Sequence, residues 1–365
     1  MTGRPGDGLA LVTGGAGFVA TNVAARLLRD GWRVRLFDNL SRPGVERNVA
    51  WLQDTHPGCH TSGKPNLEFV LGDIRDATAV SSAVAGVDRV FHFAAQVAVT
   101  ASLVEPTFDF EVNARGTLNL LEAIRALPQR PSLLFTSTNK VYGHLGDVAL
   151  RTRGRRYEPE DGALARSGIS ERRGLDFHSP YGCSKGAAEQ YVLDYARTFG
   201  LAAAVFRMSC IYGPHQFGTE DQGWVAHFVI QALRGLPLTL YGDGLQVRDV
   251  LFVDDLVEAM LLAHEAIERI SGEAFNIGGG PARTISLLEL IELIAHLLGS
   301  RPSYRLEPWR TADQRYYVSD TGKFARATGW APRVTVADGV ERLTAWLVEF
   351  GGLGDAAVAA GRAAL

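Results

Sequence analysis

The segment "LALVTGGAGFVATNVAARLLRDGWRVRLFDNL", Leu9 to Leu40, constrains this chain more than any other. An apolar run gives way to a glycine turn, then to apolar residues recurring at three and four spacing, then to a second apolar run. That order reads strand, turn, helix, strand, the opening unit of a parallel sheet. Gly14 and Gly17 let the backbone come close to a pyrophosphate seated on the positive end of the helix, whose first residues are Phe18 and Val19. Ala20 takes the place of a third glycine and is still small enough for close packing. Asp38 ends the second strand, within the window of roughly 20 residues where a carboxylate binds the adenine-side ribose hydroxyls. A carboxylate there disfavours a 2′-phosphate and points to NAD rather than NADP. Arg42 nearby is a group that could receive such a phosphate, and a glycine turn standing alone reads equally well as a plain tight turn.

The alternation continues. "LEFVLGDI", "RVFHFAAQ" and "SLLFTST" are short apolar runs, and "FDFEVNARGTLNLLEAIRAL" between the last two is helical in period. The fold class expected is α/β, a Rossmann-type doubly wound parallel sheet over residues 1–213. Beyond about Gly213 the regularity breaks, which predicts a smaller C-terminal lobe over 214–350 and a frayed tail over 351–365. A chain of 365 residues that is 46% hydrophobic can bury a large core. Its formal net charge of -3 leaves no basic footprint for nucleic acid. No apolar run reaches the roughly 18 residues of a membrane span. "MTGRPGDG" has no apolar signal region, and three scattered cysteines, Cys59, Cys183 and Cys210, fit reduced thiols; the expected location is the cytoplasm.

"DFHSPYGCSK", Asp176 to Lys185, raises the question of chemistry. Ser179 is a good N-cap and Pro180 suits the first helical position, so Tyr181 and Lys185 fall one turn apart on one face. A phenol titrating near about 10 is too weak a base at neutral pH, whereas one held beside an ammonium and the positive nicotinamide ring can lose its proton readily. An isolated Tyr-x-x-x-Lys is usually a surface pair. Here the glycine turn precedes it, and "TSTNKVYG" offers the Thr138 hydroxyl at the end of a strand, where ligands of such sheets bind. The histidines show no metal-ligand spacing and Cys183 has no histidine partner, so neither a metal site nor a thiol nucleophile is expected.

"TGGAGFVA", "FTSTNKVYG", "SPYGCSK" and "GDGLQVRDVLFVDD" together resemble the extended short-chain dehydrogenases/reductases that act as nucleotide-sugar epimerases and dehydratases. More narrowly, "FDNLSRPG", "LDFHSPYGCSKGAAEQYVLDYARTFGL", "FGTEDQGWV" and "ADQRYYVSD" are similar to the CDP-paratose 2-epimerases, also called CDP-tyvelose 2-epimerases. The resemblance implies an NAD that oxidises a sugar carbon and returns the hydride to the opposite face, with Thr138, Tyr181 and Lys185 catalytic. It further implies cofactor contacts from Gly14, Gly17, Phe18, Val19, Asp38, Asn39, Ser41, Arg42, Asp73, Ile74, Ala94, Ala95, Gln96, Asn113, Thr136, Tyr181, Lys185 and Met208. Asp73 would lie near the adenine and Asn113 at the back of the site. Substrate contacts would come from Thr138, Ser209, Gln216, Arg248 and Arg310, the arginines holding the diphosphate or nucleotide ribose. Residues 214–350 would then be mainly a nucleotide-sugar-binding lobe, and the protein a homo-oligomer.

Within this group the 4,6-dehydratases carry Thr-Asp-Glu where this chain has Thr138-Asn139-Lys140. Elimination of water needs those carboxylates and epimerisation does not. Asn139 is expected to cap the strand end and Lys140 to face solvent. His178 would orient its loop. The chain departs from the 2-epimerases at Met208, Pro214 and His215, beside the sugar pocket, and carries a long polar insert, residues 151–174, that reads as a cap or a solvated loop. The function implied is NAD-dependent C2 epimerisation of a CDP-sugar. The alternatives are a 4-epimerase of a UDP- or dTDP-sugar and a non-catalytic NAD-sensing protein.

Overall fold

A computed structural model describes residues 8–59, 63–311, 313–350 and 353. The chain opens with β1 (Leu9–Thr13), β2 (Arg33–Asp38), β3 (Leu67–Leu71), β4 (Arg89–His92) and β5 (Ser132–Thr138). A hairpin of β6 (Leu150–Arg153) and β7 (Arg156–Pro159) follows, then β8 (Ala203–Met208), β9 (Cys210–Tyr212), β10 (Leu238–Tyr241), β11 (Val247–Phe252) and β12 (Ala274–Ile277). The short strands β13 (Thr284–Ser286), β14 (Tyr304–Glu307) and β15 (Tyr316–Tyr317) come last.

Seven strands form one sheet in the order β12-β8-β5-β4-β1-β2-β3, every pair parallel. This is the doubly wound sheet that the strand and helix alternation predicts. Its strands are covered on both faces, and the pleat divides consecutive residues between two cores. Leu11, Val90, Leu133, Phe135 and Val205 pack with Leu120, Ile124 and Val192 on one side. Val12, Phe91, Leu134 and Phe206 pack with Val23, Leu27, Leu256 and Met260 on the other. The strand order reverses between β1 and β4, and ligands of such sheets bind there, beyond the carboxyl ends.

The chain past Gly213 serves both lobes. β11 pairs with β13, β15 and β9, and β10 with β14, in two small separate sheets. The helix Val253–Glu265 and β12, however, belong to the central sheet and its core. The insert is neither a cap nor a solvated loop but a hairpin fixed to the smaller lobe. Tyr157 N donates to Leu245 O at 2.9 Å, Ser286 Oγ donates to Arg155 O at 2.7 Å, and Ile169 bridges to Ser319. Among the described residues no helix is long and apolar enough to cross a membrane. The tail 351–365, apart from a buried Leu353, lies outside the described residues.

Candidate active site

The glycine turn opens a groove of about 600 Å³ along the carboxyl ends of the central strands. Gly14 has φ +66°, and a Cβ there would stand 2.7 Å from Ala94 N, so the position holds only glycine without strain. The helix Phe18–Arg29 starts at Gly17 with no side chain capping it, which leaves its first N–H groups to a ligand. Asp38 accepts from Ala16 N at 3.1 Å and Leu40 N at 2.7 Å, while burial pushes its pKa up. Asn39 Nδ2 donates to Asp73 at 2.9 Å, and the Arg75 guanidinium holds Asp73 well below the usual carboxylate range. Every expected cofactor contact except Asn113 lines this groove. Bare amides for a pyrophosphate and a carboxylate for a ribose fit NAD.

Thr138, Tyr181 and Lys185 come together where β5 ends and the helix Pro180–Phe199 begins. Ser179 caps that helix as expected, accepting from Gly182 N at 3.2 Å. It does so at φ +87°, a strained value for a serine, so the entry to this helix is held by its surroundings. Tyr181 N donates to Ser102 Oγ at 3.2 Å. Of the ammonium and the nicotinamide ring expected to depress the phenol together, Lys185 by itself does not set the Tyr181 pKa. Burial pushes Tyr181 up to about 12, opposed by its hydrogen bond to Thr138. Lys185 is 3% exposed, its ammonium 4.2 Å from the centre of the Phe135 ring. Burial brings it down to about 7, and Glu189 and Asp109 act against that.

The remaining expected contacts divide. Gln216 lines the groove. Arg310 lines a second cavity of about 640 Å³, which Ser179 borders just before Tyr181. Its guanidinium lies 3.8 Å from the Tyr241 ring centre, donates to Glu220 O at 3.1 Å and pairs with Asp221 at 3.4 Å. Arg248 is buried and donates to Asp313 Oδ1 at 2.8 Å. Ser209 is turned away, donating to Asp249 O at 2.8 Å and to the Asp249 carboxylate. Asn113 lies at the back of the site and is not among the residues that line the groove. It lies fully buried in a π-helical turn behind the groove, accepts from Gln96 N at 2.9 Å, and donates to Gln96 O and Ser184 Oγ, both at 3.0 Å. It positions the wall and does not form it.

Residues 10–278 match the model of the NAD dependent epimerase/dehydratase family. The chain belongs to that family. It is 43% identical to CDP-paratose 2-epimerase of Salmonella typhi over 92% of this chain and 98% of that protein. The crystal structure of UDP-glucose 4-epimerase from Thermus thermophilus with NAD superposes with a TM-score of 0.77 at 31% identity, covering 94% of this chain and 99% of that one. That of dTDP-glucose 4,6-dehydratase from Streptomyces venezuelae with NAD bound gives 0.78 at 30%, covering 94% and 98%. The enzyme is therefore NAD-dependent.

This epimerase/dehydratase chain also uses residues that sequence reasoning passed over. Gln222 Oε1 accepts from Arg42 Nη1 at 2.6 Å, a strap between residues 180 apart whose two ends both line the groove. Asn48 Nδ2 donates to Ala16 O at 3.0 Å beneath the glycine turn. Asn139 and Lys140 do not follow their expected readings. The Asn139 amide is buried and donates to Gln314 Oε1 at 3.1 Å, and the Lys140 side chain, 20% exposed, turns to Asp313. His144, Asp176 and His178 meet: His178 Nε2 is 3.0 Å from Asp176 Oδ2 and the two Nδ1 atoms are 2.8 Å apart. The carboxylate thus fixes the His178 ring, in keeping with a loop-orienting residue. "FGTEDQGWV" signalled Gln222 by resemblance, whereas nothing local marks the partners of Asn139 and Lys140.

Proposed function

We propose that the protein epimerises a CDP-sugar at C2 through a transient 2-keto sugar, as a homo-oligomer in the cytosol. The observation that carries this is the Thr138-Asn139-Lys140 turn, which brings a hydroxyl and no carboxylate to the catalytic strand end, together with 43% identity to a CDP-paratose 2-epimerase. The Tyr181 oxygen takes the proton of the C2 hydroxyl, and Thr138 hydrogen-bonds the same oxygen. When bound, NAD supplies the hydride acceptor and a positive ring that opposes the upward pull of burial on the phenol. Lys185 sits one turn along the helix, where its ammonium would hold the nicotinamide ribose and favour the phenolate. Arg310 and Arg248 anchor the nucleotide diphosphate, after exchanging Asp221 and Asp313 for phosphate oxygens. The anchored sugar turns about its anomeric oxygen, and Tyr181 returns the proton as the other face is reduced.

Leu103, Val104 and Phe110, on short helices packed against the helix Pro180–Phe199, are exposed, as are Tyr191 and Phe199 on that helix, and these apolar side chains support an oligomer. The test is isotopic. A CDP-hexose deuterated at C2 should yield an epimer that keeps its deuterium at C2, and unlabelled substrate in D2O should gain none there. Label lost to solvent would point to deprotonation beside a ketone and overturn the mechanism. Retained C2 label with C4 inverted would establish a 4-epimerase, the reaction of the similar Thermus thermophilus enzyme.

A further inference from the structure

His144, Asp176 and His178 bring three potential ligand atoms within 4.8 Å of one another. The two histidines lie 34 positions apart, so no spacing in the sequence announces the cluster. His144 follows the turn after β5, and His178 sits two residues before the helix Pro180–Phe199. The backbone fastens these segments together: Asp176 N donates to Val141 O at 2.9 Å, and Gln314 Nε2 donates to Gly143 O at 2.6 Å. His144 and Asp176 are exposed and His178 is half-buried, so an ion can reach them from solvent. Both imidazoles also border the 640 Å³ cavity that Arg310 lines.

His178 Nε2 stands 3.0 Å from Asp176 Oδ2, so the carboxylate keeps the proton on Nε2 and leaves a lone pair on Nδ1. That lone pair faces His144 Nδ1 at 2.8 Å. Two imidazole lone pairs repel at this distance, and a proton or a metal ion has to stand between them. A straight N–H···N bond would set the ring centres about 5 Å apart. They lie 4.3 Å apart with the planes tilted by 36°, so the nitrogens meet obliquely and a shared proton is poorly aligned. An ion needs no in-line approach. Placed about 2.0 Å from each nitrogen, it would make two bonds about 90° apart, the angle between neighbouring positions of a square-planar or octahedral site. We propose that His144 and His178 bind one divalent transition-metal ion through their Nδ1 atoms, Asp176 orienting His178 from behind. The remaining positions are open to water or to an anionic oxygen ligand in the cavity. Two imidazoles select Ni2+, Cu2+ or Zn2+ over Mg2+ or Ca2+. On binding, the proton of His144 moves from Nδ1 to Nε2 and the ion takes its place. The ion locks the turn after β5 to the loop that enters the helix of Tyr181. This site goes beyond the nucleotide-sugar reading and stands whichever sugar is turned over.

The test titrates Ni2+ by calorimetry into tag-free, NAD-loaded protein dialysed against a chelator. One ion per chain should bind saturably, and a large excess of Mg2+ should not compete. His144→Gln and His178→Gln should each abolish that binding. Asp176→Asn, which removes only the outer support, should weaken it on the order of 10- to 100-fold. His296→Gln, an exposed histidine on the helix Leu287–Leu298, should bind as the wild type does. A second measurement needs no variant. The wild type loaded with one equivalent of Cu2+ should show, by electron paramagnetic resonance, coupling to two imidazole nitrogens. Absence of saturable Ni2+ binding in the wild type would overturn the inference, as would binding that persists in both histidine variants. Coupling to one nitrogen or to none would overturn it as well, whatever the variants do.

Discussion

Arg207→Met tests whether the helix Pro180–Phe199 is held to the sheet by charge. Arg207 on β8 places Nη2 2.7 Å from Glu189 Oε1, with side chains 6% and 0% exposed, and donates from Nη1 to Tyr142 OH at 2.9 Å. Glu189 lies one turn beyond Lys185 on the helix and accepts from Ser137 Oγ at 2.6 Å. Taking away the guanidinium leaves that carboxylate buried with no cation of its own, at a cost of about 3–5 kcal/mol. Replacing both partners in Arg207→Met/Glu189→Leu removes both charges together. An apolar pair of similar volume is about neutral against a buried ion pair, leaving chiefly the orphaned Ser137 hydroxyl at about 1–3 kcal/mol. Urea unfolding followed by far-UV circular dichroism reads both variants. The single variant should fall further than the double. A single-variant loss under about 1 kcal/mol, or a double variant no better than the single, would refute the reasoning.

Two further outcomes follow from the groove and its lysine. Gly14→Ala puts a Cβ 2.7 Å from Ala94 N at φ +66°, so the variant should purify with far less NAD than the wild type, read by chromatography of the acid-released nucleotide; full NAD content would contradict the glycine argument. Lys185 is held at about 7 by burial against an unfolded value of about 10.4. The folded chain therefore binds fewer protons in that window, and Lys185 makes the NAD-stripped protein more stable as pH rises through it. Tyr181, held up at about 12, contributes stability that is present below its unfolded value of about 10 and lost above it, so it leaves that slope intact. Urea midpoints taken across the window should rise with pH in the wild type and flatten in Lys185→Met; identical slopes would count against the burial of Lys185.

The parts of the site that could be read from the chain are those whose geometry is set within one turn or one pleat. Ser179, Pro180, Tyr181 and Lys185 specify a capped helix with two groups on one face, and Leu11 and Val12 alternate because a strand does. Asp38 was placed by a count from the glycines. What escaped depends on residues far apart in sequence. Asn139 meets Gln314, 175 positions away, and Arg42 meets Gln222 across the groove. The burial that raises the Tyr181 phenol comes from packing that no spacing reveals. The polar insert did carry a local signal, since Gly154 at φ +61 begins the tight turn between two strands, yet its abundance of arginines suggested solvent. Those arginines pair with Glu158, Glu289 and Glu292.

The position of β12 has a bearing on how this protein can be made and how it can move. β12 pairs with Val205–Met208 of β8, yet it is synthesised only after the whole of 214–273. A chain cut at Gly213 would leave β8 as an open sheet edge, so the two lobes should not survive as separate fragments. The polypeptide leaves the sheet after β8, comes back for the helix Val253–Glu265 and β12, and leaves again. A lobe joined by one strand can swivel freely. One stitched through three crossings has little left but a shallow hinge, so the reach from the arginines of the outer lobe to Tyr181 has little room to change.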